Sequence, residues 1–510
     1  MKQVSVVPDA YFDSVFLMSV ASQLRELAGV QTGLIVLGTD ANREAIAQLG
    51  FDAASVGSAG AHDLVIAVDA DDAASAARAT ERARELLHGD HTAPDGSGHE
   101  PRSLRSAIHV CESANLALIS VPGEFAAREA ATALQAGLHA MVFSDNVSLA
   151  DEIALKEMAH ERGLLMMGPD CGTAVINGVP LGFANVVARG SIGMVGASGT
   201  GMQEVMCLID RFGGGISQAV GIGGRDLFAE VGGIMAIDAI DALAADPATE
   251  VVTLVAKPSD ASVAARVLER LGATGKPAVA ALLGARDYHA PATVQVADDL
   301  TAAARLAVAV AGADTSPEPG SPAELAAVVA ACSADLAPPR RYLRGLFGGG
   351  TLAAEALEVV ARQVGPVHAL HARPGVSRLA DPYRSQEHAI IDLGEDLFTR
   401  GRPHPMIDST ARNDRLLQEA DDPEAAVFLL DFVLGHGSHE DPAGSSAAAL
   451  RAVRRKAPGA PIIASITGTD ADPQNRARQR AALESLGCTV MASNHEAAML
   501  AAGIVQAVRT

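Results

Sequence analysis

The sequence predicts a multidomain α/β protein, and three observations carry that prediction. Apolar runs of strand length alternate with amphipathic stretches of helix length along most of the chain, as where "TGLIVLG" is followed by "NREAIAQLGF". The 510 residues exceed what one hydrophobic core organises, so several units are expected. Hydrophobic residues make up 49% of the chain while aromatics are 3% and tryptophan is absent. Cores built from Ala, Val, Leu and Ile suit sheets covered by helices.

Taken in order, residues 1–102 read as a small N-terminal α/β sandwich with strands "QVSVVP", "TGLIVLG" and "DLVIAVDA" and helices between them. The polar run from His88 to Pro101 is expected to be a linker or long loop. Residues 103–189 carry "NLALISVP", "AMVFSD" and "LLMMGPDCGT" separated by helices of crossover length, the pattern of a Rossmann-like parallel sheet. Residues 190–312 repeat it through "SIGMVG", "ISQAVGIGG", "VVTLVA" and "AVAALLG", and residues 339–510 through "YLRGLFG", "HAIIDLG", "AVFLLDFVLG" and "PIIASITG". Both read as doubly wound, flavodoxin-like domains. The Pro- and Gly-rich segment from Gly312 to Pro322 makes 313–338 the expected linker.

The last two domains look like a weak internal repeat, since each opens on a strand, a small-residue turn and an amphipathic helix. The turns are "GASGTG" and "FGGGTL". A helix start has unpaired amides and the positive end of the helix dipole, so a turn without bulky side chains makes an anion seat. Ser198, Gly199, Thr200 and Gly201 supply one such seat and Gly348, Gly349, Gly350 and Thr351 the other. Small residues at a strand-to-helix turn also serve close packing; the recurrence favours phosphate binding. No lysine follows, so neither turn is the phosphate loop of an NTPase, and neither is the dinucleotide fingerprint. If the two sheets face each other about a pseudo-twofold, both helix starts point at one phosphate.

The formal net charge of −22 without a long basic run argues against nucleic acid and against a membrane surface. The first twenty residues lack a signal-peptide pattern and no stretch reaches the length of a membrane span, so a cytoplasmic protein is expected. Five scattered cysteines (Cys111, Cys171, Cys207, Cys332, Cys488) contain no C-x-x-C. Neither disulfides nor a metal site are expected.

The stretches "LALISVPGEFAA", "GLLMMGPDCGTAVINGV", "GMVGASGTGMQE" and "GIGGRD" resemble the α subunit of succinyl-CoA synthetase and the related NDP-forming acyl-CoA synthetases. Residues 339–510 resemble the C-terminal domain of the β subunit. "GLFGGGTLAAEA", "HAIIDLGEDLFTRGRPHPMIDSTARNDRL" and "VFLLDFVLGHGSHEDPA" resemble the FdrA family over essentially the whole chain. Members of that family include a subunit, AllF, implicated with two partner subunits in oxamate carbamoyltransferase activity. The resemblance therefore implies exchange of a carbamoyl group between oxalurate and phosphate, giving oxamate and carbamoyl phosphate. The sequence departs from succinyl-CoA synthetase at three places. The glycine turn for CoA is missing where residues 1–102 stand, Lys257 replaces the glutamate that orients the catalytic histidine, and His289 lacks the glycines that flank the phosphohistidine.

These departures imply an enzyme that handles phosphate or carbamoyl phosphate as substrate with no required cofactor, CoA belonging only to the alternative of an acyl-CoA ligase subunit. A second alternative is a non-catalytic anion-binding assembly subunit. Partner subunits and a small-molecule substrate are expected, and self-association is compatible with either reading. The irregular, Pro-punctuated segment "RGRPHPMIDSTARND" offers Arg402, His404 and Asp408 as catalytic candidates. Its guanidinium grips a carboxylate or phosphate and its imidazole orients or protonates an amide; the bland alternative is a surface loop fixed by prolines. Further lining residues are expected at Arg412 and Asn413, at Asp392 and His436 at strand ends, and at Asp170 and Cys171 of the "GPDC" turn. Gly223 and Gly224 of "GIGG" and Lys257 complete the set.

Overall fold

The computed structural model describes the chain except residues 9, 11, 13, 26, 61–62, 89–100, 102, 258–259, 285–288, 314–321, 337, 401 and 509–510. Most of the loop expected at 88–101 and most of the segment 312–322 thus lie outside the described residues. Two units are distinguished, Met1–Val110 with Gly394–Asp408, and Cys111–Leu393 with Ser409–Thr510.

In the first unit, β1 (Lys2–Val7), α1 (Ser14–Arg25), β2 (Val30–Leu37), α2 (Asp40–Gln48), α3 (Ala53–Gly57), β3 (Leu64–Ala70), α4 (Ala73–His88) and α5 (Leu104–Val110) follow in sequence. The sheet order is β1-β3-β2, antiparallel throughout. Strand β3 explains the sandwich, because side chains alternate across a strand. Leu64, Ile66, Val68 and Ala70 join α1 and α4 in one core. Val65 and Ala67 pack on the other face with Ile46, Phe51 and Val56.

The second unit opens on a three-stranded sheet of β4 (Leu116–Ile119), β5 (His139–Val142) and β6 (Met166–Met167), parallel, with α6 (Gly123–Gln135) and α7 (Leu149–Glu161) as crossovers. The expected Rossmann-like boundary at 189 is not where this sheet ends. Strands β7 (Thr173–Ile176) and β8 (Val179–Gly182) turn away and pair antiparallel with each other and with the next sheet.

That sheet is built on β9 (Arg189–Gly196), which leads into α8 (Gly199–Arg211), followed by β10 (Ile216–Gly221), α9 (Ile234–Ala245), β11 (Val251–Ala256), α10 (Ala261–Gly272), β12 (Ala278–Leu282), β13 (Val294–Ala297) and α11 (Leu300–Val310). Its order is β13-β12-β11-β9-β10-β7-β8. All six residues of β11 are buried, as a parallel strand covered on both faces requires.

The expected linker 313–338 carries a helix, α12 (Pro322–Ser333). The third large sheet then follows with β14 (Tyr342–Phe347), α13 (Gly350–Val364), β15 (Val367–Ala369), β16 (Val376–Arg378) and β17 (Ala389–Asp392). After α14 (Asp396–Thr399), which belongs to the first unit, come α15 (Thr410–Glu419), β18 (Ala425–Val433), α16 (Pro442–Lys456), β19 (Ile462–Thr467), α17 (Arg476–Ser485), β20 (Cys488–Val490) and α18 (Asn494–Ala507). The order β16-β15-β17-β14-β18-β19-β20 contains the same four-strand succession as its neighbour, β14, β18, β19 and β20 standing where β9, β11, β12 and β13 stand. The internal repeat expected from the two turns is therefore present in the strand order. Helix α12 packs on α18, which its apolar "LAAVVAA" run accounts for.

Candidate functional site at two joined helix starts

Helices α8 and α13 begin at the carboxyl ends of equivalent strands, and their first turns meet. The Ser198 and Thr351 hydroxyls are hydrogen-bonded to each other, and the Thr351 amide donates to Thr200 Oγ1 at 3.3 Å. The approach is close enough that a Cβ on Gly201 would lie 2.8 Å from Thr351 Cγ2. Ser198 also caps its own helix by accepting the Gly201 amide at 3.3 Å. The first amides of a helix have no partner within it; here the cross-ties engage those of Gly201 and Thr351. Among the described residues this leaves the amides of Gly199, Thr200 and Gly350 for a ligand.

The α13 side differs from the expectation. The amides of Gly348 and Gly349 donate to the two carboxylate oxygens of Asp431, at 2.8 and 2.7 Å. These two glycines are therefore filled from within by a residue of β18 that is 1% exposed. Behind Asp431 stands Arg412, buried, with its guanidinium 3.6 Å from Asp431 Oδ1 and hydrogen-bonded to the Asp431 carbonyl and the Ser446 hydroxyl. Burial pushes the Asp431 carboxyl up, opposed by Arg412 and the glycine amides. Arg412 is therefore a support of the turn and not a group lining a cavity. Asn413, expected beside it, bonds the Ser409 hydroxyl and the Ser445 carbonyl, tying α15 to α16. Asp392, at the end of β17, does reach the helix start, since a Cβ on Gly350 would lie 2.5 Å from its Oδ2.

Beneath α8 lie the expected "GPDC" and "GIGG" turns. Thr173 Oγ1 stands 3.1 Å from where a Cβ on Gly199 would be. Cys171 is buried, with its thiol directed at the carbonyls of Thr173 and Gly221. Burial pushes that thiol up to about 12, so it is neither a nucleophile nor a ligand-facing group at neutral pH. Gly223, at φ +81°, packs against the Pro169 carbonyl, whereas Gly224 is exposed. Asp170 is exposed at φ 55°, and its amide donates to Ser144 at 3.0 Å. The "GIGGRD" loop is anchored by Lys156 of α7, which is fully buried and bonds Glu152, Asp226 and the Ile222 carbonyl at 2.8, 2.8 and 3.0 Å.

The remaining candidates stand on other segments of the chain. Lys257 is exposed directly after β11, and His289 is exposed between residues outside the described set and Pro291. His436 is exposed, its amide bonding Ala184 at 2.9 Å. The preceding Gly435, at φ +108°, has no room for a Cβ, which would lie 2.6 Å from the Ala184 carbonyl. Arg402, His404 and Asp408 belong to the first unit, whereas the joined helix starts belong to the second. Asp408 forms an ion pair with Arg25 of α1. His404 Nδ1 accepts the Met406 amide at 3.2 Å, and burial lowers this imidazole to about 4. Of the two roles the sequence suggested, orienting or protonating an amide, a histidine neutral at physiological pH suits the first. Arg402 is exposed.

Three family models match this chain. One described as "CoA-ligase" covers residues 346–505 and one described as "CoA binding domain" covers 188–283. The third, "AllF, heavy metal-associated domain", covers residues 1–103. The uncharacterized protein YahF of Escherichia coli (strain K12) is 41% identical over 513 residues, covering 98% of each chain. The chain belongs to the FdrA family. The CoA-binding likeness of this FdrA-family chain falls on the sheet of β9. No cysteine precedes Cys111, so the heavy-metal-associated likeness comes without a thiolate ligand. The succinate-CoA ligase (ADP-forming) subunit alpha of Aquifex aeolicus (strain VF5) is 32% identical over 148 residues, 28% of this chain and 47% of that one. The dinucleotide-forming acetyl-coenzyme A synthetase 1 of Ca. Korarchaeum cryptofilum is 15% identical with a TM-score of 0.28, covering 77% of this chain and 83% of that one. Among the described residues no helix is long and apolar enough to cross a membrane.

Sequence reasoning missed Asp431, Thr173 and a pair of buried glutamates, Glu204 of α8 and Glu355 of α13. For the glutamates a signal was there to be read, since "GASGTGMQE" and "FGGGTLAAE" carry them at the same distance from the turn. For Asp431 the signal was a single aspartate inside the apolar run "AAVFLLDFV".

Proposed function

We propose that this chain is the FdrA-type subunit of a cytoplasmic carbamoyltransferase acting on oxamate, oxalurate or a related amide, with phosphate bound where α8 and α13 meet. The observation that supports this most is the cross-tied pair of helix starts at Ser198, Thr200 and Thr351. Each start presents about half a positive charge, and Gly199, Thr200 and Gly350 lie in the first turns so joined. Asp392 beside Gly350 adds an acceptor for the N–H groups of a carbamoyl moiety. In the direction of oxalurate breakdown, a phosphate oxygen attacks the ureido carbon and forms the new C–O bond. The bond from that carbon to the oxamate nitrogen breaks and the nitrogen takes up a proton, releasing oxamate and carbamoyl phosphate. Fixed dipoles aimed at the phosphate hold its charge through the transfer. Partner subunits complete the reaction centre.

A second reading, an NDP-forming acyl-CoA ligase subunit, is supported by the CoA-ligase and CoA binding matches. It requires CoA binding and phosphorylation of His289. Phosphorus NMR of the reconstituted complex with oxalurate and phosphate separates the two. Carbamoyl phosphate is expected to form, and Thr351→Val to slow its formation at least tenfold. Its absence together with a phosphorylated His289 in the presence of nucleotide would establish the ligase reading instead.

A further inference from the structure

The phosphate seat uses only the first turns of α8 and α13, yet further polar contacts between the two halves lie deeper. Glu204 stands six residues after the N-cap Ser198, and Glu355 six residues after the N-cap Gly349. Each is 2% exposed. Their carboxyls cross over. Glu204 accepts the amide of Asn494 at 3.1 Å, the first residue of α18, which is the helix packed on α13. Glu355 accepts the amide of Leu300 at 2.9 Å, the first residue of α11, which is the helix packed on α8. The Asn494 side chain closes the figure by donating to Glu355 at 2.8 Å and to the Leu352 carbonyl at 3.0 Å, while the Thr467 hydroxyl donates to Glu204. One asparagine therefore holds the glutamates of both helices.

Burying a carboxyl costs several kcal/mol, roughly, unless fixed donors receive it. Here both donors to Glu204 and the Leu300 amide that reaches Glu355 come from the opposite half of the repeat, so the pair fixes the halves to each other. We propose that Glu204, Glu355 and Asn494 are the positioning residues of the anion seat, setting the separation of the two helix starts so that both point at one ligand. This proposal rests on the phosphate-seat reading above.

Around Glu355 the charged neighbours are Asp299, the N-cap of α11, Glu204 from α8, and His495 of α18, whose Nδ1 lies 3.7 Å from Asp299 Oδ2. Burial, with Asp299 and Glu204 adding like charge, pushes Glu355 up to about 8. At neutral pH it keeps its proton. Its ionisation puts a negative charge about 9 Å along the helix from the α13 start, so anion affinity falls as the pH rises through that value.

Sulfate is the probe, because its charge is constant between about pH 6 and 10. Calorimetric titration of the full chain is expected to show affinity about tenfold weaker at pH 9.5 than at pH 7, and Glu355→Gln is expected to remove that dependence. Asn494→Ala is expected to weaken binding at least tenfold at both pH values while still unfolding cooperatively. The isosteric Glu204→Gln carries the same expectation should Asn494→Ala not fold. A Glu355→Gln variant with the wild-type pH slope, or Asn494 and Glu204 variants that melt earlier but bind sulfate normally, would reduce these residues to ordinary structural contacts and overturn the proposal. Wild-type protein that binds neither sulfate nor phosphate would instead overturn the seat itself.

Discussion

The two helix starts descend from the same strand–turn–helix plan, yet one is open and the other closed. At α8, Ser198 caps the helix with its own side chain and leaves the amides of Gly199 and Thr200 uncovered. At α13 the N-cap is Gly349, which has no side chain to give, and the buried carboxylate of Asp431 takes the amides of Gly348 and Gly349. The difference teaches that a glycine-rich turn before a helix is a set of donors in search of an acceptor, and that the acceptor is chosen by what the neighbouring strand carries. Strand β11, which occupies the place of β18, reads "VVTLVA" and brings no carboxylate. Only the α8 turn is therefore left for an external anion, with α13 contributing Gly350 and the Thr351 hydroxyl.

Removing the internal acceptor breaks this contrast most severely. Asp431→Ala leaves two glycine amides without their acceptor and the buried Arg412 guanidinium without its counter-charge, and is expected to cost about 3–5 kcal/mol in denaturant unfolding. A loss under about 1 kcal/mol would mean that water reaches the turn, and that α13 is as open as α8. The next test concerns the crossed glutamates. Because the folded-state carboxyl of Glu355 is raised from 4.5 to about 8, the folded state binds the extra proton between those values. Its contribution to stability is fully present below about pH 4.5 and is lost as the pH rises through about 8. The stability difference between wild type and Glu355→Gln should therefore shift in favour of the variant across that window; a difference independent of pH would show that Glu355 is already ionised.

Smaller effects sharpen the comparison. Gly350→Ala places a methyl 2.5 Å from the present position of Asp392 Oδ2 and is expected to cost about 1–3 kcal/mol. Gly199→Ala at the open start meets nothing nearer than Thr173 Oγ1 at 3.1 Å, so it should cost less. Equal costs in thermal melts would contradict the asymmetry. Smallest is Ser198→Ala, which removes one cap and is expected to cost about 1 kcal/mol, with a larger proportional loss of sulfate affinity than of stability.

Much of the architecture was legible because it rests on local pattern. The fully buried runs of β11 and β18, the helix starts at Ser198 and Gly349, and the repeat of the last two domains follow from periodicity and small-residue turns. Other features escaped for physical reasons. Strands β7 and β8 are short, and their sheet is decided by which edge they meet, β10 in this case. The segment 394–408 belongs with the first 110 residues, an association that no local signal announces. The polar cluster from Arg402 to Asn413 looked like a site because polar residues in an irregular loop are read as free to act. Arg412 and Asp408 are instead buried ion-pair partners, and an ion pair is invisible until the opposite charge is known.

By itself, the sequence determined the fold class, the family and the existence of two equivalent helix starts, since each depends on residue type and spacing along one stretch of chain. Only the tertiary structure decided that the two starts touch through Ser198, Thr200 and Thr351, that Asp431 fills half of one of them, and that Glu204, Glu355 and Asn494 bind the halves crosswise. These contacts join residues as far apart as 290 positions. Their partners are selected by the packing of two sheets against each other, a geometry that no single segment specifies.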